Sequence, residues 1–184
     1  MNDFHSVRPV RLAGSRCVLR EWEDGDVDEL YALTNDPRLL ERVLDEAPPS
    51  LDDIRAAVPA WRQEATGEPR LQYRLAVVAA GRLVGAGTLT VESPAHRRGE
   101  IGYVIHPDHW GRGLGTEVAG LLVRLGFDQV GLHRVEATTR PDHTASWRVM
   151  EKIGMRREGI SRDHLLVRGG WWDSVRYAML ATDR

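Results

Sequence analysis

Between Glu100 and Glu117 the chain reads EIGYVIHPDHWGRGLGTE, and its hydrophobic period changes within that stretch. Ile101, Tyr103 and Ile105 alternate, which predicts a strand. Pro107 and Asp108 break it. Gly111, Gly113 and Gly115 follow at every second position, and then Val118, Leu121, Leu122, Leu125 and Phe127 recur at largely helical spacing. Elsewhere the pattern predicts an irregular start over residues 1 to about 14 and a short first strand from Arg16 to Glu21. Asp24, Asp26 and Asp28 open a helix through Leu30, Tyr31 and Leu33, which Asn35-Asp36-Pro37 ends. A second helical segment is expected through Leu39, Leu40 and Val43. Ser50 and Asp53 form a capping box for a helix through Ile54, Ala57 and Trp61, which Pro59 should kink or split. Arg70 to Ala79 and Arg82 to Val91 read as a hairpin around Ala80-Gly81. Arg134 to Thr139 reads as a strand and His143 to Ile153 as a helix. Two more strands, Met155 to Val167 and Trp171 to Leu180, meet at Arg168-Gly169-Gly170. The order is that of an α/β protein with a mixed sheet, whose central strand–helix–strand crossover is parallel.

Composition narrows the class. A chain of 184 residues, 42% hydrophobic and 28% charged, suits one globular domain with a substantial core. A net charge of −2 gives no bulk attraction to nucleic acid or to an anionic membrane. With one cysteine no intrachain disulfide forms, and Cys17, inside a strand pattern, reads as a small buried hydrophobe. No apolar run reaches membrane-spanning length, and MNDFHSVRPV lacks a basic-then-apolar signal pattern, so a cytoplasmic protein is the default expectation.

Glycines where a strand hands over to a helix let the backbone approach a ligand and aim several N–H groups at one point. The helix N-terminus adds partial positive charge, so the stretch reads as an anion cradle for a phosphate or pyrophosphate. A P-loop would need Lys and Ser/Thr after the last glycine, where this chain has Thr116 and Glu117. A Rossmann fingerprint would need GxGxxG and an acidic residue beyond it; the spacing here is GxGxG, and Glu136 lies inside the strand pattern RVEATT. Two readings remain at this point, a coenzyme A cradle and a simple connecting turn. Arg97 and Arg98, in the loop ESPAHRRG, are either further phosphate contacts or solvated charges.

EIGYVIHPDHWGRGLGTE resembles the acetyl-CoA-binding motif of the GNAT superfamily of N-acetyltransferases, and most of all its RimJ/RimL-type branch. A second block, RVEATTRPDHTASWRVMEKIGMRREG over residues 134 to 159, resembles the strand and helix that follow in that family. The resemblance implies a mostly antiparallel mixed sheet with a splayed central parallel pair, flanked by helices, over one domain spanning 1–184. It implies transfer of an acetyl group from acetyl-CoA, as co-substrate and without a metal, to a primary amine by direct attack within a ternary complex. The acceptor would be an amine-bearing small molecule (an amino acid, amino sugar or antibiotic) or a protein N-terminus; a homodimer is among the assemblies it admits.

Residue by residue, the resemblance places the backbone of Tyr103, Val104 and Ile105 along the acetyl-pantetheine arm. It places Gly111, Arg112, Gly113, Leu114, Gly115 and Thr116 around the pyrophosphate. Trp110, before the first glycine, matches the RimJ/RimL branch. Glu100 is the expected general base and Ser146 the hydroxyl at the coenzyme A sulfur, with helix capping as the other task a serine there performs. Three positions depart from the common pattern: His143 stands for Asn, Met150 for the tyrosine many members use as general acid, and Met155 for Phe. His143 can still donate to a cofactor carbonyl. Met150 has no proton to give, and this departure and His143 together keep a catalytically degenerate coenzyme A-binding sensor or scaffold as the alternative. Cys17 is far in sequence from both blocks, which argues against an acetyl-cysteine intermediate. For the acceptor wall the aromatic candidates are Trp22, Tyr31, Trp171 and Trp172, with His164 and Asp163 nearby.

Overall fold

The alternating segments become one eight-stranded sheet. The computed structural model describes residues 5–41 and 47–184. Its strands are β1 (Arg11–Ala13), β2 (Val18–Arg20), β3 (Gln72–Ala79), β4 (Arg82–Ser93), β5 (Arg98–Ile105), β6 (Arg134–Thr139), β7 (Arg156–Val167) and β8 (Gly170–Leu180). They lie in the order β1-β2-β3-β4-β5-β6-β8-β7. The helices are α1 (Val27–Thr34), α2 (Pro37–Leu40), α3 (Leu51–Glu64), α4 (Leu114–Arg124) and α5 (Thr144–Lys152). No helix among the described residues is long and apolar enough to cross a membrane.

Local chemistry explains most boundaries. Ser50 and Asp53 close the expected capping box on α3. Ala80 (φ 49°) and Gly81 (φ 77°) both take left-handed backbone, as a two-residue hairpin turn between twisted strands requires. Beyond α4 the backbone widens into a π-helical turn over Leu125–Val130. That turn keeps Phe127 and Val130 buried although they fall out of α-helical phase with Val118, Leu122 and Leu125.

Three expectations change. The start of the chain is not wholly irregular: Arg11–Ala13 pairs antiparallel with Val18–Arg20, a ladder too short to show as alternation. Pro59 does not split α3, which runs unbroken with Pro59 on its exposed side, where water can satisfy the carbonyl that proline leaves unpaired. Val43, expected in a second helical segment, lies outside the described residues; α2 covers only Pro37–Leu40.

The sheet has a core on each face. Ile101, Tyr103 and Ile105 of β5 face the core built on α4, with Leu89, Val118, Leu122 and Val135. Val104 faces the other, with Trp22, Leu30, Ile54 and Val58. Strand alternation puts Glu100 and Gly102 on that second face. Every neighbouring pair is antiparallel except β5–β6. That pair is bonded only at Arg98↔Arg134, Gly99↔Val135 and Glu100↔Glu136. Beyond Glu100, β5 continues beside β4 alone to Ile105, and β6 continues beside β8 alone to Thr139. The sheet is therefore forked, and Glu100 stands at the crotch.

Candidate active site

The fork opens into a cleft of about 690 Å³. At one end lies the glycine loop. Gly111 (φ 74°) and Gly113 (φ 77°) hold left-handed backbone, and Gly113 is the N-cap of α4. Gly115 has a different reason to be glycine: a Cβ there would lie 3.3 Å from the Tyr103 ring, so α4 seats directly on β5.

A residue that sequence reasoning missed joins this end. Arg16 Nη1 would be 2.7 Å from a Cβ on Gly113, so its guanidinium lies over the loop. Glu117, in the first turn of α4, holds Arg16 in place. Glu117 Oε1 accepts from the Arg16 N–H (2.8 Å) and the Cys17 N–H (3.4 Å), while Oε2 accepts from Ser15 Oγ (2.9 Å). Burial pushes the Glu117 carboxyl up, but hydrogen bonds from the Arg16, Ser15 and Cys17 segment outweigh it and leave the group below its ordinary value. A lowered carboxyl adds stability that is present above its unfolded value and lost as pH falls through the folded one. Glu117→Ala is expected to destabilise the protein by about 2 kcal/mol, the worth of hydrogen bonds to a charged group. That is a fall in Tm of roughly 4–8 °C for a chain of this size. A thermal melt at neutral pH checks it, and the difference from wild type should shrink in acid.

The same contact revises the reading of Cys17. Far from the signature blocks in sequence, it lies beside them in space, with Sγ 3.8 Å from Glu117 Oε1. Burial, then the Glu117 charge, pushes the thiol up to about 11. At neutral pH it is protonated and unfit as a nucleophile. Arg97 and Arg98 are not phosphate contacts of this loop. They sit at the opposite end of β5, where Arg98 pairs with Glu136 (3.3 Å) and the Arg97 carbonyl accepts from the His133 N–H (2.7 Å).

The other wall is α5. Its N-cap is His143, which makes no side-chain capping hydrogen bond, and Ser146, in the first turn, lines the cleft. The Tyr103 phenol, whose oxygen is buried with no closed hydrogen bond, is held above its ordinary value by burial, with the Ser146 hydroxyl pulling it down. His143 Nδ1 lies 3.4 Å from Thr139 Oγ1. Met150 and Met155 are both buried in the α4-side core, so neither presents its sulfur to the cleft. Trp110 donates its indole N–H to the Ile105 carbonyl (2.7 Å), tying the loop back to the end of β5.

Across the fork lies a polar wall. Thr138 Oγ1 donates to Glu100 Oε1 (2.7 Å). Ser174, buried, lies 2.9 Å from His164 Nδ1, and the Arg140 guanidinium stacks 4.1 Å from the centre of the Trp172 ring.

Of the residues expected at the cofactor, Tyr103, Val104, Ile105, Gly111, Gly113, Leu114, Gly115, Thr116, His143 and Ser146 line the cleft. Arg112 is exposed and does not. Glu100 is not among the lining residues but is hydrogen-bonded to Thr138, which is. The acceptor-wall expectation needs the larger correction. Trp172 lines the cleft; Trp22 instead packs on Trp61 (5.4 Å between rings) in the second core, and Tyr31 and Trp171 are turned to solvent away from it. His164 is not among the lining residues but lies 2.9 Å from Ser174, which is, and Asp163 gives its backbone N–H to Asp173 (2.9 Å). Nothing in the local pattern marks Arg16, Thr138 or Ser174, because each reaches the site through a partner distant in sequence.

Comparison with known proteins agrees with this geometry. The family model described as "Acetyltransferase (GNAT) domain" matches residues 16–156. The N-acetyltransferase YnaD of Bacillus subtilis is 29% identical over 171 residues, covering 93% of this chain and 97% of that protein. The putative ribosomal N-acetyltransferase YdaF of Bacillus subtilis is 32% identical over 136 residues, 73% of each chain. Among solved structures, a GNAT-family acetyltransferase from Bacillus anthracis superposes with a TM-score of 0.80 at 29% identity, covering 93% of this chain and 98% of that one. Mycobacterium smegmatis RimJ, solved with CoA-disulfide, superposes with a TM-score of 0.85 at 24% identity, covering 96% and 90%, which shows a common fold. With its forked sheet, its glycine cradle and these relatives, the chain belongs to the GNAT family and is an acetyl-CoA-dependent N-acetyltransferase.

Proposed function

We propose that this acetyltransferase acts on a primary amine in the manner of the RimJ/RimL branch, by direct attack within a ternary complex. The observation that carries the reading is the fork itself. A cradle for the cofactor opens on the α4 side, and a carboxylate stands at the crotch on the opposite face, so donor and acceptor can meet in one gap. The N–H groups of residues 111–116 and the Arg16 guanidinium would hold the pyrophosphate. The unpaired edge of β5 from Tyr103 to Ile105 would run beside the pantetheine arm. Acetyl-CoA supplies an activated acetyl group as a thioester. Glu100 accepts the proton of the incoming ammonium, which arrives mostly charged at neutral pH. Ser146 donates a hydrogen bond to the sulfur as the thiolate leaves; Met150, buried, has no part in that step.

A protein N-terminal α-amine is the first acceptor class to test, since a relative is named as a putative ribosomal N-acetyltransferase. An amino acid, amino sugar or antibiotic amine is the next. The test is a screen of N-terminal peptides, polyamines, amino sugars and aminoglycosides with acetyl-CoA, read by mass spectrometry. An acetylated product from any of these amines supports the reading and names the acceptor class; no acetylated amine from any of them would overturn it.

Ser146→Ala is expected to lower kcat roughly fivefold while acetyl-CoA affinity changes less than about twofold, because the hydroxyl matters most in the transition state. A rate per folded molecule equal to wild type would remove Ser146 from the chemistry.

A further inference from the structure

Thr138 lines the cleft and is hydrogen-bonded to Glu100, which is half-buried behind the lining residues. The last bonded pair of the β5–β6 ladder is Glu100↔Glu136. Thr138 is two residues further along β6, on the same face and already past the fork. Its hydroxyl reaches back across the gap to Glu100 Oε1 at 2.7 Å. Thr138 lines the cleft and Glu100 does not.

The charges around this pair are distributed unevenly. Glu136, the register partner of Glu100, draws in Arg98 (3.3 Å), Arg134 (2.9 Å) and Arg176 (3.4 Å). On the same face of β3, Arg74 is paired with Glu64 of α3. The neighbouring Thr90 of β4 is engaged with Gln72 (3.0 Å). Glu100 itself makes no ion pair among the described residues, and Thr138 is its side-chain partner there. Glu136 is thus tied into the sheet by three arginines, while Glu100 is left with the Thr138 hydroxyl, which also lines the cleft.

We infer that Thr138 is a catalytic relay, its hydroxyl passing the acceptor's proton to Glu100. This rests on the reading of Glu100 as the general base. A threonine hydroxyl has one hydrogen and two acceptor lone pairs. Its hydrogen is committed to Glu100, so its oxygen presents a lone pair to the cleft. The acceptor ammonium gives an N–H proton to Thr138 Oγ1 while the threonine hydrogen moves to Glu100 Oε1. The products are a neutral amine, an unchanged threonine and a protonated Glu100, which returns its proton to water after turnover. No net charge is left on Thr138, and the amine does not have to reach the carboxylate.

The test uses the full chain with the best acceptor from the screen and compares pH–rate profiles of wild type, Thr138→Val, Thr138→Ser, Glu100→Gln and the double variant Glu100→Gln/Thr138→Val. Valine keeps the shape and suits a strand, and a thermal melt checks folding. Thr138→Val should lower kcat/KM roughly five- to tenfold at neutral pH, as part of a general-base contribution. The deficit should close as pH rises toward the amine's own value, Thr138→Ser should restore activity, and the double variant should be no worse than Glu100→Gln alone. Full activity of Thr138→Val beside an impaired Glu100→Gln would overturn the relay and leave Glu100 as base. A pH-independent deficit, or losses that multiply in the double variant, would overturn it too. If Glu100→Gln is as active as wild type, the base assignment fails first and the relay with it.

Discussion

Glu100→Gln should cut kcat/KM by about 10²-fold at neutral pH, the lower end of what a general base contributes. Glutamine keeps the size of the side chain and can still accept from Thr138 through its amide oxygen, so the fork should stay as it is. What it loses is the ability to take a proton. The loss matters only while the acceptor is an ammonium, so the deficit should shrink as pH approaches the amine's own value. That is about 8 for an α-amine and about 10.4 for a lysine-like amine. The pH at which the two profiles converge therefore also reports the class of acceptor. Acetyl-CoA affinity should barely change, because the carboxylate lies on the face of the sheet away from the α4 cradle. A deficit constant across pH would make Glu100 a positioning group. Activity equal to wild type would move the base elsewhere, with Asp173 and His143 the titratable candidates that line the cleft.

Gly113→Asp should weaken acetyl-CoA binding at least about tenfold, or roughly 1.4 kcal/mol. Two effects add. Gly113 sits at φ 77°, where a side chain costs about 1 kcal/mol, and the new Cβ would meet Arg16 Nη1 at 2.7 Å. The carboxylate would also repel the pyrophosphate and capture Arg16, removing a cation from the cradle. Gly113→Ala separates these effects: it brings the backbone strain and the contact without the charge, so its affinity should fall between wild type and Gly113→Asp. Calorimetry with acetyl-CoA checks both. Unchanged affinity in a folded Gly113→Asp protein would remove the loop from the cofactor site.

Much of this site is legible before any coordinates. The change of period around Gly111, Gly113 and Gly115 marks a strand, a loop and a helix, and two of these glycines do hold left-handed backbone. The capping box at Ser50 and Asp53, the Ala80-Gly81 turn and the limits of β6 follow from chemistry within a few residues. The acceptor wall was not legible. Trp22 and Trp172 carry the same ring, yet one is packed into a core and the other lines the cleft, a difference that local pattern does not encode. Cys17 is buried as its surroundings in sequence suggest, yet it lies against Glu117 of the glycine-loop block, because distance along the chain is a poor guide once strands pair.

The sequence alone carried most of the elements, through side-chain period and backbone freedom that act over a turn or a strand, and, through its resemblance, the family. Only the tertiary structure decided where β5 and β6 part, that Arg16 lies over Gly113, and that Thr138 both lines the cleft and bonds Glu100. Glu100 and Thr138 are 38 residues apart, and Arg16 and Glu117 are 101 apart. Such pairs meet through strand register and helix seating, which the whole packed sheet sets and no single segment contains.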